Sequence, residues 1–231
     1  MRVLLKLSGE ALGSAGKVFD EDVLGSIAAQ IKKMVKDGIG VGIVCGGGNM
    51  VRGKAFEKLG FERVAADHMG MLGTTMNCMA LCAALNKAKV KAIVMSATKV
   101  DGVEDIDVAR ANELISDNYV VLFGGGIGNP YFTTDTACAL RAIEIKADKI
   151  LMAKNGVDGV YSDDPSKNPE AKFIKNLTFD DILDMKLNVM DATAASLCRD
   201  NGIDAFVFNM SGKDNIYKAS IGKLIGTKVK A

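Results

Sequence analysis

"VGIVCGGGNMVRGKAF", residues 41–56, decides the fold. From Gly48 it spells G-x-x-x-x-G-K-A, one residue away from the phosphate-binding loop G-x-x-x-x-G-K-[ST]. In that loop backbone amides cradle phosphate, the lysine reaches the terminal phosphates and the hydroxyl sits on Mg²⁺. Ala55 has no oxygen to offer, so the P-loop fold loses its metal position. What remains is a continuous apolar run that ends in three glycines. A run of this kind, apolar throughout rather than alternating, expects a strand covered on both faces in a parallel sheet.

The same pattern recurs on either side. "VLLKLSGEAL", "KAIVMSATKVDGV", "YVVLFGGGIGNP", "KILMAKNGVDGVYSDDP" and "DAFVFNMSG" are all apolar runs that stop at glycine or a polar turn. Helical patterns lie between them. In "DEDVLGSIAAQIKKMVKDG" the residues Val23, Leu24, Ile27, Ala28, Ile31, Met34 and Val35 share a face, acidic residues open the first turn and Gly38 fits the end. Further helices are expected over residues 64–87, over "TDTACALRAIEIKAD", after a capping box of Thr178 and Asp181, and over "DATAASLCRDNG" up to Gly202. Strands alternating with helices predict a doubly wound α/β sandwich in one domain, residues 1–231. Ligands in such sheets bind where strands end and helices begin, which is where every glycine cluster falls.

Composition narrows the function. Lys and Arg total 29 against 28 Asp and Glu, so the chain has no general pull toward nucleic acid or anionic membrane, and anion binding must be local. Five cysteines without a C-x-x-C pair expect reduced thiols in a cytoplasmic protein. "MRVLLKLSGE" carries Lys6 inside its apolar run and is not expected to be a signal peptide. The uncharged run 69–86 contains Gly70, Gly73, Thr74, Thr75, Asn77 and Asn86, which suits a buried or interface helix better than a membrane span.

Three glycine-rich turns, Ser8-Gly9, Gly46 to Gly48 and Gly124 to Gly128, point to backbone amides lining an extended anionic ligand. Neither of the longer two matches G-x-G-x-x-G, since Val51 and Asn129 hold the last position, which disfavours a nicotinamide dehydrogenase. Lys6 sits among Val3, Leu4, Leu5 and Leu7, where an ammonium is costly unless an anion waits at the strand end or the chain snorkels to water. Arg52 offers a planar donor fork that suits phosphate or solvent. Asp67, Asp135, Asp158, Asp164 and Asp191 stand beside the turns. Taken singly, Asp135 and Asp191 read as helix caps; near a triphosphate they would orient lysines and the metal's waters. His68 is the only histidine, which excludes a multi-histidine metal site.

Together these segments have a familiar order. "KLSGEAL" (6–12), "GGGNMVRG" (46–53), "ADHMGMLGTTMN" (66–77), "GGGIGNPYFTTDTA" (124–137), "NGVDGVYSDDP" (155–165), "VMDATA" (189–194) and "FNM" (208–210) resemble the bacterial uridylate kinases of the amino acid kinase superfamily. The resemblance implies a three-layer αβα sandwich with a mostly parallel central sheet, UMP bound mainly by the N-terminal half and ATP mainly by the C-terminal half. It implies transfer of the γ-phosphoryl group of ATP to UMP, giving UDP and ADP for pyrimidine nucleotide synthesis. Mg²⁺ would be held mainly through the ATP phosphates, without a dedicated protein metal site.

Carried over by position, Lys6, Leu7, Ser8, Gly9, Gly48, Arg52, Asn155, Tyr161 and Asp164 match ATP contacts. Gly47, Asp67, Ile127, Gly128, Asn129, Pro130, Tyr131, Phe132, Thr133 and Thr134 match UMP contacts. Lys6, Arg52, Asp135 and Asp191 match the catalytic set. Relatives are homohexamers, with the 69–86 helix an interface candidate; UTP inhibition and GTP activation stay open, because "GSAGKVFDED" (13–22) lacks the glycine-rich pattern of many members. The other readings are a superfamily member phosphorylating a small carboxylate or carbamate, and a nucleotide-binding metal-storage relative. In the uridylate kinase frame the near P-loop is a coincidence of spelling, with Gly47, Gly48 and Arg52 functional and Lys54 solvated.

Overall fold

The computed structural model describes residues 1–14, 16–51, 59–163, 165, 167–187 and 189–231. The apolar runs form the strands β1 (Arg2–Leu7), β2 (Gly40–Cys45), β3 (Ala92–Ser96), β5 (Val120–Gly124), β6 (Lys149–Lys154) and β10 (Asp204–Asn209). Short strands β4 (Glu104–Asp105), β9 (Asn176–Thr178) and β11 (Thr227–Lys230) extend them to a nine-stranded sheet among the described residues, ordered β4-β3-β5-β2-β1-β6-β10-β11-β9. All neighbours are parallel except β10 with β11. Strands β7 (Val160–Tyr161) and β8 (Phe173–Ile174) pair separately as an antiparallel flap.

The helices are α1 (Glu21–Lys36), α2 (Arg63–Lys87), α3 (Val108–Ser116), α4 (Thr134–Glu144), α5 (Phe179–Asp184), α6 (Ala192–Asp200) and α7 (Asn215–Ser220). Alternate residues of β1 separate two cores. Val3, Leu5 and Leu7 meet α1, α2 and α7, while Leu4 meets α3, α4, α5 and α6 on the opposite face. The three-layer sandwich follows from this division, with β1 in the middle of the sheet.

Local chemistry explains the helix ends. Asp20 caps α1 by accepting from the Asp22 and Val23 amides, and Gly38 follows the last turn. Thr178 and Asp181 close the expected capping box on α5, and these hydrogen bonds hold the Asp181 carboxyl below its usual range. Helix α3 and strand β11 lie in stretches where no element was expected. Each is short and mixed in polarity, so tertiary packing rather than pattern selects it.

Candidate active site

Strand β1 ends between β2 and β6, the position where the strand order departs in two directions. There the Lys6 Nζ lies 2.9 Å from the Asp135 carboxylate, with both side chains largely withdrawn from solvent. Asp135 stands in the first turn of α4 but does not cap it. The cap is Thr133, whose hydroxyl accepts from the Asp135 and Thr136 amides at 3.0 and 3.4 Å. The single-residue expectation of Asp135 as a cap is thereby corrected: a threonine already fills that place, leaving the carboxylate to pair with the lysine.

Asp191 does cap its helix, accepting from the Ala194 amide at 2.8 Å. It also accepts from the Thr136 hydroxyl at 3.1 Å and from the Thr133 hydroxyl. The start of α4 and the start of α6 are thus tied through one carboxylate.

Lys6, Ser8, Gly9, Gly46, Gly47, Gly48, Thr133, Thr134 and Asp135 line a junction cavity of about 320 Å³. It shares Gly47, Gly48, Thr133 and Thr134 with a second cavity of about 240 Å³, walled also by Asp67, Gly70, Thr74, Ile127, Asn129 and Phe132. Asp67 accepts from the Arg63 Nε at 2.9 Å and from the Tyr131 amide at 2.7 Å, fixing the 127–134 turn against α2. Tyr131 has φ +72°, a strained value for a residue with a side chain, and its ring is largely exposed beneath the Arg63 guanidinium. The turn before it needs glycine: Gly125 has φ +74°, and an added Cβ would stand 2.7 Å from the Thr98 amide nitrogen.

On the other side of Lys6, a cavity of about 550 Å³ is lined by Lys154, Val157, Tyr161, Ser162, Asp163, Met185, Leu187 and Val189. Tyr161 stacks edge-on against Phe173, its partner in the β7–β8 flap, with centroids 5.5 Å apart. Asn155 is exposed and is not among the residues lining this cavity. Leu7 is fully buried in the α1–α2 core, so only its backbone borders the junction, its carbonyl accepting from the Gly46 amide at 2.9 Å. Gly128, Pro130 and Tyr131 belong to the turn without lining its cavity. Arg52 and Asp164, together with Lys54 and Ala55, lie outside the described residues.

Sequence reading missed two kinds of residue. Lys154 ends an apolar strand, the same signal that singled out Lys6. Asn77, fully buried on α2, donates to the Gly46 backbone carbonyl at 2.6 Å and to the Asn49 side-chain Oδ1 at 2.7 Å, and so holds the second glycine turn. Its only signal was an amide inside an uncharged helix. The exposed His68 joins neither cavity. Two cysteines near the site are held as thiols: burial pushes Cys138 up, and Cys198 is pushed up to about 12 by burial and the nearby Asp135 and Asp191 charges.

A family model described as "Amino acid kinase family" matches residues 1–209. A uridylate kinase of Alcanivorax borkumensis is 48% identical over 232 residues, covering 100% of this chain and 92% of the relative. This chain belongs to the amino acid kinase family, in its uridylate kinase branch. Solved UMP kinases share its shape: that of Bacillus anthracis superposes with a TM-score of 0.94 at 39% identity, covering 99% of this chain and 95% of its own. That of Ureaplasma parvum gives 0.94 at 41% identity, covering 100% and 98%.

Proposed function

We propose that this chain is an ATP-dependent UMP kinase, transferring the γ-phosphoryl group of ATP to UMP to give UDP and ADP for pyrimidine nucleotide synthesis. The observation that carries the reading is the Lys6–Asp135 pair, set at the end of the central strand in a junction that shares Gly47, Gly48, Thr133 and Thr134 with the 240 Å³ cavity and lies within electrostatic reach of Lys154 in the 550 Å³ one. UMP occupies the 240 Å³ side, against Gly47, Asp67 and the 127–134 turn, with its phosphate at the start of α4. ATP occupies the 550 Å³ side, mainly C-terminal, with Tyr161 at the base and its phosphates reaching Ser8, Gly9 and Gly48. Arg52, Asn155 and Asp164 complete the donor contacts by position.

The chemistry needs no histidine. A phosphate acceptor is already anionic, so catalysis is positioning plus neutralisation of charge on the transferring group. Lys6 meets that group, Asp135 holds the ammonium in place, and Asp191 locks the acceptor-side threonines to the donor-side helix. Among the described residues no three acidic, histidine or cysteine side chains gather as a metal cage. That donor set fits Mg²⁺ arriving on ATP, since this ion keeps its waters and binds through substrate phosphates and one or two carboxylates. Asp135 and Asp191 are the residues that would meet its waters. When bound, the ion neutralises charge on the bridging phosphates.

The test is ADP formation with UMP, CMP, aspartate, glutamate or acetylglutamate as acceptor, with and without GTP and UTP. UMP-dependent turnover is expected; turnover on an acid and not on UMP would replace this reading with the carboxylate kinase. A metal-storage role is disfavoured by the intact Lys6–Asp135 pair, and metal analysis of the purified protein checks it.

A homohexamer built from dimers is the proposed assembly. Leu72, Met76 and Met79 form an exposed apolar stripe on α2, three and four residues apart, of the kind that packs against a second helix. A monomeric mass by light scattering at micromolar protein would overturn it. Free cysteines, and no described helix long and apolar enough to cross a membrane, suit a cytoplasmic site of action.

A further inference from the structure

Lys154 repeats the placement of Lys6 one strand away. The register sets Lys6 beside Met152, so Lys154, two residues further on, leaves the sheet on the same face. That face carries α4 and Asp135, because Leu4, Ile150 and Met152 belong to its core. The Lys154 Nζ donates to the Val189 carbonyl at 3.0 Å and lines the 550 Å³ cavity with Tyr161. Burial, and then the charge of Lys6, push its pKa down, while Asp135 opposes them.

The charges do not close. Asp135 is paired with Lys6, and among the described residues no carboxylate stands at ion-pair distance from Lys154. One neutral carbonyl takes one of its three N–H groups. A largely buried ammonium that no described carboxylate balances is suited to an anion, and the phosphates of a nucleotide in this cavity supply one. We infer that Lys154 binds the β-phosphate of the donor nucleotide, one phosphate nearer the base than the group that Lys6 meets. This rests on the donor reading of the 550 Å³ cavity.

The experiment is calorimetric binding of ADP, AMP and UMP, each alone, to the full chain. Lys154→Met is expected to weaken ADP about tenfold to a hundredfold, the range for a lost hydrogen bond to a charged group. AMP and UMP should change less than about threefold, since neither carries the phosphate in question. Lys154→Gln keeps a donor for the Val189 carbonyl without the charge; it should weaken ADP as much as Met does, and Lys154→Arg should restore most of the affinity. Unchanged ADP binding in both neutral variants would overturn the inference, as would equal losses for ADP and AMP, which would make Lys154 a wall of the pocket. Tyr161→Ala separates the two levels. If it weakens ADP and AMP while the Lys154 variants do not, Lys154 alone is wrong; if it weakens neither, the donor reading falls as well.

Discussion

The two cavities that flank the Lys6 junction are built differently. The acceptor side is framed by the long helix α2 and by a glycine turn leading into α4, and its walls come from a few contiguous segments. The donor side is framed by the end of β6, the β7–β8 flap and the stretch after α5, so short strands and loops, rather than a long helix, make most of its wall. On the proposed reading, the helix-framed side reads one monophosphate. The side built on short strands is suited to admitting and releasing a nucleotide in each cycle, as loops on a fixed scaffold commonly do.

Lys6 lines the junction and neither of the two flanking cavities, so removing it should leave binding in both largely intact and cost nearly all turnover. Lys6→Ala is expected to lower kcat by about 10²–10³, the usual loss for one preorganised donor on a charged transition state. UMP binding, measured by calorimetry, should stay within about threefold, a change of under 1 kcal/mol. Unchanged kcat would remove Lys6 from its role and leave the Lys6–Asp135 pair as an ordinary ion pair.

The next test separates the two sides. Asp67→Asn removes the charge that accepts from Arg63 and from the Tyr131 amide, and should raise the KM for UMP about tenfold while leaving that for ATP alone. If both KM values rise together, the two cavities are not independent, and the Thr133–Asp191 link is the element to suspect.

How much of this was legible depended on whether a segment carries its own signal. The six long strands announced themselves by unbroken apolar runs, and the capping box at Thr178 by two side chains three residues apart. Lys6 and Asp67 sit next to glycine turns that mark the sheet's functional edge. Asp135 was ambiguous because cap and ion-pair partner look alike until Thr133 is seen to occupy the cap. The donor cavity was mostly illegible: Met185, Leu187 and Val189 are ordinary apolar residues that become a wall only when α5 and α6 pack beside β6. Lys154 was overlooked although its local pattern repeats that of Lys6.

The smallest expected effects come from two neighbouring glycines of the turn that serves both sides. At Gly47 an added Cβ would stand 2.6 Å from the Gly70 carbonyl oxygen, backbone against backbone, so α2 or the turn must shift. Gly47→Ala should cost about 1–3 kcal/mol in denaturant unfolding and weaken UMP binding, because the same shift distorts the acceptor cavity. At Gly48 an added Cβ meets nothing within 4 Å among the described residues. Gly48→Ala should therefore leave stability within about 0.5 kcal/mol of the parent. A rise in the KM for ATP without a change in stability would mean that the added methyl meets nucleotide at this turn. An unchanged KM would move the donor phosphates away from this turn and toward Lys6 and Ser8.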